Sequence, residues 1–249
     1  MSDPTWLPDV LRAAGLRCDI YPGAMDRGHG DFGGIWGVVC HHTGSNNAGP
    51  GGIAQHPDLG LASQLHLSRD GVFTLCGVGI AWHAGQGSYP GIQTNNANVV
   101  TIGIEAANDG GGTPGRPHRS SWPDAQYQAY VTGVAAILNK LGQPASHAIG
   151  HKEWAGAAQG KWDPGAIDMN TFRADVAREQ TRLKGGTMPA PNTPLDAQTA
   201  AGLALDQLAG PGTARGADFP GWPQLGGRTV VEALGAIGEK LGIPGFKGA

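Results

Sequence analysis

Short apolar runs alternating with helical segments constrain the fold of this chain more than any other feature of its sequence. Five runs predict strands, at residues 35–41, 64–67, 72–75, 80–83 and 99–105. The second and third runs flank Arg69-Asp70-Gly71, a turn sequence that predicts a β-hairpin. Helical periodicity predicts helices at residues 5–14, 123–141, 168–183, 195–209 and 228–241. Asp3 is expected to cap the first helix. Strands interrupted by helices predict an α/β fold with a mixed central sheet of about five strands flanked by helices, and a small C-terminal helical unit.

A change of composition at residues 185–194 separates two parts of the chain. Two glycines and three prolines fall within these ten residues, which is typical of a linker. We therefore expect one domain over residues 1–184 and a small helical domain over residues 195–249. The last predicted helix carries an apolar stripe that needs a partner surface, formed by Val230, Leu234, Ile237 and Leu241.

The charge balance argues against nucleic acid or an anionic membrane as the main partner, since both attract a basic excess. The chain carries 17 Lys and Arg against 20 Asp and Glu, a net charge of −3. No run approaches the roughly 18 apolar residues of a membrane-spanning helix, so no transmembrane segment is expected. The N-terminus lacks the basic and apolar regions of a signal peptide, and the product is expected to accumulate in the cytosol.

Histidine is unevenly distributed, which places any metal or acid–base site in the first domain. All nine histidines lie at or before His151. One cluster, His41-His42, ends an apolar strand, and another surrounds His151 and is followed by Asp163. A catalytic zinc takes three protein ligands and leaves one position open, and two histidines with one aspartate supply such a set. Each cluster alone is more typical of a turn than of a ligand site, and Glu105 alone is typical of a solvated strand end.

Five ordered segments together identify a resemblance to a known family. They are Val38-Val39-Cys40-His41-His42-Thr43-Gly44, Leu67-Ser68-Arg69-Asp70-Gly71, Ala81-Trp82-His83-Ala84-Gly85, Thr101-Ile102-Gly103-Ile104-Glu105, and Ile149-Gly150-His151-Lys152 with Lys161-Trp162-Asp163-Pro164-Gly165. The chain over residues 36–177 resembles the zinc-dependent N-acetylmuramoyl-L-alanine amidases of the type 2 amidase and peptidoglycan-recognition-protein superfamily. Within that superfamily it is most similar to endolysins of phages that infect mycobacteria and related actinobacteria.

The resemblance implies a zinc cofactor bound by His41, His151 and Asp163. Glu105 matches the general base of the family, and Lys161 matches the residue that stabilises the transition state.

Four further positions are implied by the same resemblance. His42, the second residue of its pair, is expected to be structural. His66 occupies the histidine of a family Tyr-His pattern whose tyrosine position is Leu65 here. Trp82 and His83 are expected to bind substrate, with core packing as the alternative for Trp82 and support of the ligands as the alternative for His83.

The implied reaction is hydrolysis of the amide between the lactyl group of N-acetylmuramic acid and L-alanine of the peptidoglycan stem. Two alternatives stay open: a non-catalytic peptidoglycan-binding protein on the same fold, and a deacylase or peptidase acting on other amides. The C-terminal domain is expected either to bind the cell wall or to associate with another chain. Synthesis in the host cytoplasm implies a separate membrane-permeabilising protein for release onto the wall.

The domain boundaries generate a first prediction. Residues 1–184 alone should fold, bind zinc and cleave small soluble muropeptides at nearly the full-length rate, because every implied site residue precedes the linker. On whole cell walls the truncated protein should be slower, since tethering raises the local enzyme concentration. The measurement compares both proteins on both substrates. Equal rates on whole walls would contradict a wall-binding role for residues 195–249.

Overall fold

The structure, a computed structural model, describes residues 3–185 and 230–240. Within these residues the strands are β1 (Cys18–Ile20), β2 (Gly37–His42), β3 (Leu65–Leu67), β4 (Phe73–Leu75), β5 (Thr101–Ala106) and β6 (Ala148–Gly150). The α-helices among them are α1 (Leu7–Ala13), α2 (Pro50–Ala54), α3 (Asp124–Leu141), α4 (His151–Gln159), α5 (Met169–Leu183) and α6 (Val230–Lys240).

The six strands form one mixed sheet in the order β1-β4-β3-β5-β2-β6. Only β3 and β4 pair antiparallel; the other neighbouring strands of this sheet are parallel. The predicted α/β class with a mixed, helix-flanked sheet is confirmed, and so is the hairpin around Asp70. The sheet has six strands where about five were expected.

The core lies mainly between the sheet and the helices α1, α3 and α5. Side chains alternate across β2, so Val38 and Cys40 join the cluster that contains Tyr130 of α3. Val39 points the other way and packs with Ile149 in a second, smaller cluster. All six residues of β2 are buried, which is expected for a central strand covered on both faces.

Two helix boundaries are set by clear capping residues. Gly142 ends α3 in the left-handed conformation, with φ +69°. Asp168 caps α5, and its side chain accepts a hydrogen bond from the Thr171 N–H. The prediction that Asp3 caps α1 is wrong: its Oδ1 accepts a hydrogen bond from Phe32 N at 2.9 Å instead.

The strand predicted at residues 80–83 is wrong, because this segment has no single neighbouring strand. Its N–H groups bond to three separate places: Ile80 N to the carbonyl of Gly30, Trp82 N to that of Leu61, and His83 N to the side chain of Asn98. The segment is therefore an irregular loop held at several points. Two strands of three residues, β1 and β6, and the helices α2 and α4 were not predicted.

The second part of the chain is described only at α6. Contacts divide the chain into one unit over residues 1–187 and another over residues 188–249, which contains α6. The helix predicted at 228–241 is confirmed over Val230–Lys240, where Ile237 is 55% exposed. The helix predicted at 195–209 and most of the linker lie outside the described residues, and the domain boundaries stay a prediction. No helix within residues 3–185 or 230–240 is long and apolar enough to cross a membrane.

A buried hydroxyl of α3 joins the ends of two central strands. Tyr130 Oη accepts a hydrogen bond from the backbone N–H of His41 at 2.9 Å, and it lies 3.1 Å from the carbonyl of Ile104. Tyr130 is fully buried, so no water replaces the hydroxyl when it is removed.

Tyr130→Phe should lower the free energy of unfolding by about 1–3 kcal/mol, because a buried backbone N–H loses its acceptor. Denaturant unfolding of metal-free protein measures the change. Tyr21→Phe is the matched control, since that hydroxyl is exposed and its contact with Gln55 is 3.3 Å long; it should change stability by less than about 0.5 kcal/mol. Equal effects of the two substitutions would contradict the role given to Tyr130.

Candidate active site

Parallel strands bring three polar residues to one edge of the sheet. His41 and Glu105 are register partners at the carboxyl ends of β2 and β5. His151 is the first residue of α4, directly after β6, which also pairs with β2. Asp163 comes from the loop after α4, and its carbonyl accepts a hydrogen bond from Lys152 N at 2.7 Å. Residues far apart in sequence thus meet at one point.

Three of these side chains converge closely enough to hold one metal ion. Asp163 Oδ2 lies 3.1 Å from His41 Nδ1 and 3.0 Å from His151 Nδ1. The ligating atoms all lie within 4.8 Å of one another, and the three residues are buried.

The outer nitrogens of both histidines are already engaged. His151 Nε2 donates to the carbonyl of Ala84 at 3.0 Å. His83 Nε2 donates to the carbonyl of Thr101 at 3.3 Å, which leaves His83 Nδ1 to accept from His41 Nε2 at 3.1 Å. In these neutral tautomers both Nδ1 lone pairs face the Asp163 carboxylate. Such an arrangement repels unless a cation lies among the three groups, so the donor set fits a metal ion.

The pKa shifts at the site favour the protonation states in which side chains bind a metal ion. Burial, reinforced by the nearby His151, lowers the pKa of His41 to about 4, so its imidazole is neutral at pH 7. Burial opposes ionisation of Asp163, but a hydrogen bond donated by His151 or His41, or a cation in the same position, outweighs burial and holds the carboxyl pKa well below its usual range. Neutral imidazole and ionised carboxylate are the forms that bind metals.

Glu105 lies beside the cluster with one oxygen free. Its Oε1 is 3.9 Å from His41 Nδ1, and its side chain is 17% exposed. Its Oε2 is buried and has no hydrogen-bond partner among the described residues. Burial, together with the negative charge of Asp163, raises the pKa of Glu105 to about 8. A carboxyl group in this state can accept and release a proton near neutral pH.

Lys161 supplies positive charge on the open side of the site. It is exposed and precedes Asp163 by two residues. Its ammonium group acts on the buried groups electrostatically, lowering the pKa of both Glu105 and His41. Lys161 also lines a pocket of about 480 Å³ together with Trp162 and Arg116.

The two residues predicted to bind substrate occupy different environments. Trp82 is 47% exposed, and its ring stacks on His29 with centroids 3.9 Å apart. His83 is buried, and both its ring nitrogens have protein partners in His41 and Thr101.

Two further sequence assignments have clear structural settings. His42 is buried, and its Nδ1 accepts a hydrogen bond from Gly165 N at 2.8 Å, which ties the end of β2 to the turn after Asp163. Leu65 is a core residue that packs with Ile104 and Tyr130. Its side chain therefore lies on the sheet face opposite His41, and this position offers no group to the site.

Sequence reasoning missed the contacts that support the histidines from behind. These come from the carbonyls of Ala84 and Thr101 and from the side chain of Asn98, which holds the 83–84 backbone. Every residue has a backbone carbonyl, so contacts of this kind cannot be recognised from the residue types in the sequence. Asn98 carries no sequence signal either, because an asparagine before a strand is typical of a turn.

Comparison with known families decides the classification. A family model described as N-acetylmuramoyl-L-alanine amidase matches residues 31–166, more than half of the chain. The chain belongs to this family. A second model, described as the Rv3766 C-terminal domain, matches residues 204–244. No curated protein matches the chain in sequence.

The solved structures that match this chain include a named amidase and a phage endolysin. A selenomethionine derivative of AmpD is 26% identical, with 64% of this chain and 93% of that chain covered and a TM-score of 0.43. The amidase AmiD from E. coli, solved with anhydro-N-acetylmuramic acid-L-Ala-D-γ-Glu-L-Lys, is 22% identical over 69% of each chain, with a TM-score of 0.45. The Ph2119 endolysin from a Thermus scotoductus bacteriophage is 18% identical, with 66% and 99% covered and a TM-score of 0.44. The resemblance to mycobacterial phage endolysins stays a prediction.

The buried carboxyl of Glu105 predicts a pH-dependent stability in the metal-free amidase. Its folded pKa of about 8 lies above the unfolded value of about 4.3. The stability that its extra proton contributes is complete below the unfolded pKa and is lost as the pH rises through 8. Relative to Glu105→Gln, the free energy of unfolding of the wild type should therefore fall by about 2–3 kcal/mol between pH 6 and pH 9.

Chemical unfolding with a chelator at both pH values measures this difference. Glu179→Gln is the control, because hydrogen bonding to Arg182 lowers the pKa of Glu179 and leaves it ionised at both pH values. A difference for Glu105→Gln that stays constant between pH 6 and pH 9 would contradict the prediction.

Proposed function

We propose that this family member is a zinc-dependent amidase that hydrolyses the bond between N-acetylmuramic acid and L-alanine of peptidoglycan. The observation that supports this best is the convergence of His41, His151 and Asp163, with their lone pairs facing one another, beside the free oxygen of Glu105. The three residues are the ligands in this proposal, through Nδ1 of each histidine and the Asp163 carboxylate.

Zinc held by these residues supplies a Lewis acid that polarises an amide carbonyl and acidifies water. The protein supplies the orientation. Each imidazole is held by a hydrogen bond from its Nε2, so Nδ1 is the nitrogen left for the metal. Asp163 is the only ligand that carries charge, so a net positive centre remains to act on the substrate.

Glu105 is the proton carrier in this proposal. Its Oε2 is unpartnered and accepts a proton from the attacking water, then delivers it to the amine nitrogen of L-alanine as the amide bond breaks. A pKa near neutrality suits a group that must both gain and lose a proton in one cycle.

Lys161 stabilises the oxyanion that develops on the amide carbonyl. Its ammonium group lies on the open side of the site and already influences Glu105 and His41 through space. Fixed positive charge at such a position is commonly worth about 10²–10³ in rate.

Two residues extend the proposal toward the substrate. The exposed indole of Trp82, backed by His29, offers a flat apolar face of the kind that packs against sugar rings. His83 supports His41 through its ring, and any contact with substrate would be made from that buried position.

The cellular role is proposed to be that of an endolysin. This rests on the motif resemblance, and it includes synthesis in the host cytoplasm, release by a separate membrane-permeabilising protein, and action on the cell wall. The match of residues 204–244 to a second family is consistent with a separate C-terminal domain, which we propose binds the wall.

Digestion of purified cell walls tests the function directly. Mass spectrometry should find stem peptides with free L-alanine amino groups and glycan strands with free lactyl carboxylates, and metal analysis should find one zinc per chain. Asp163→Ala should lose both zinc and activity. Glu105→Gln and Lys161→Met should keep zinc and fold while the rate falls by about 10²–10⁴.

Exposed residues of the same types serve as controls. Asp58→Ala and Lys184→Met should leave zinc content and rate unchanged. Stoichiometric zinc in Asp163→Ala would remove that residue from the ligand set. Cleavage products without new L-alanine amino groups would refute the proposed reaction.

A further inference from the structure

Two adjacent residues support both proposed histidine ligands from behind. His83 contacts His41 Nε2 through its ring nitrogen Nδ1 at 3.1 Å. Ala84 contacts His151 Nε2 through its backbone carbonyl at 3.0 Å. A shift of this short segment would therefore disturb both imidazoles at once.

The segment is irregular and needs an acceptor for its backbone N–H groups. Asn98 supplies it: its Oδ1 accepts from His83 N at 3.0 Å and from Ala84 N at 2.8 Å. Within the described part of the chain, no other acceptor bonds to these two N–H groups. One carboxamide oxygen thus holds the backbone of both supporting residues.

Asn98 is itself fixed to the strand that carries Glu105. It lies in a single helical turn, Ala97–Val99, immediately before β5. The hydroxyl of Thr101, the first residue of β5, donates to the carbonyl of Ala97 at 2.7 Å, which locks this turn to the strand.

The same strand holds the ring of His83. The carbonyl of Thr101 accepts from His83 Nε2 at 3.3 Å. Gly103 has no side chain, and a Cβ there would lie 2.7 Å from His83 Cγ, so the ring packs where only glycine leaves room. One strand therefore carries Glu105 and also sets the positions of His41 and His151.

We propose that Asn98 is a positioning residue for the metal centre. By holding residues 83 and 84, it keeps Nε2 of both His41 and His151 engaged as donors and leaves both Nδ1 lone pairs directed at the metal position. This inference rests on the proposed function, because it presumes that those histidines are ligands.

Zinc affinity, measured by competition with a chromophoric chelator, tests the proposal. Asn98→Ala removes the shared acceptor and should weaken zinc binding by about 10-fold, the lower end of the usual effect of losing a direct partner of a ligand, because Asn98 acts on the ligands through residues 83 and 84. Asn98→Asp retains an oxygen acceptor in the same place and should restore affinity to within a few-fold of wild type. Asn95→Gly is the matched control: it deletes a similar bond, from Gly87 N to Asn95 Oδ1 at 2.9 Å, while glycine tolerates the positive φ of 61°. Its zinc affinity should be unchanged.

A second readout does not require metal. Nitrogen-15 NMR of the metal-free wild type should show His41 and His151 with the proton on Nε2, and Asn98→Ala should show a mixture of tautomers at both. If Asn98→Ala does not fold, Asn98→Ser replaces it, because the shorter hydroxyl reaches at most one N–H group and should give a smaller loss in both measurements.

Unchanged affinity and tautomers in a folded Asn98→Ala or Asn98→Ser protein would overturn the proposal. Equal losses in Asn98→Asp or in Asn95→Gly would overturn it too, since they would indicate general loosening of the loop. A wild type that binds no zinc would refute the proposed function, and the tautomers of the metal-free protein would still decide the role of Asn98.

Discussion

The parallel pairing of β2 with β5 determines where every other group of the site must lie. It sets His41 opposite Glu105 in register, and the pairing of β2 with β6 on its other side delivers His151 to the same edge. If either pair slipped by one residue, the polar side chain at that strand end would point into the core. An apolar side chain would then point into the site. The buried hydroxyl of Tyr130 binds the backbone of both β2 and β5 near these ends, and a slip would break at least one of these contacts.

The buried groups at this edge conflict when no cation is present. Glu105 is pushed toward its neutral form by burial and by Asp163, and His41 is held neutral, so neither group compensates the negative charge of the Asp163 carboxylate. Removing charged groups from water is costly unless they are paired. A divalent cation among the three lone pairs would relieve this conflict and would also favour ionisation of Glu105. The arrangement therefore suits a loaded site better than an empty one.

Much of the fold and the residues of the candidate site could be predicted from the sequence, because both produce recognisable patterns of residues along the chain. Residues 99–105 were readable as a strand from their apolar run, and α3 from its periodicity. His41, His151 and Asp163 were assigned through resemblance, and the structure brings them together. The strand predicted at 80–83 failed because an apolar run does not reveal whether a neighbouring strand exists. The three-residue strands β1 and β6 are too short for periodicity to detect. The roles of Asn98, Thr101 and Ala84 were invisible because they act through backbone groups, or through one amide oxygen, in contacts created only by folding.

The site is rigid on one side and open on the other, and this division suits hydrolysis of a polymer. Behind the proposed metal position, His83, Ala84 and Asn98 form a continuous chain of hydrogen bonds to β5, so His41 and His151 cannot reorient without breaking buried bonds. Lys161 and Trp82 are both exposed, as their proposed contacts with the substrate require. A glycan strand with attached peptides cannot be enclosed. Accurate positioning of the reacting groups must therefore come from the buried side of the site alone. The side chains that hydrogen bonds restrain most are accordingly those farthest from the solvent.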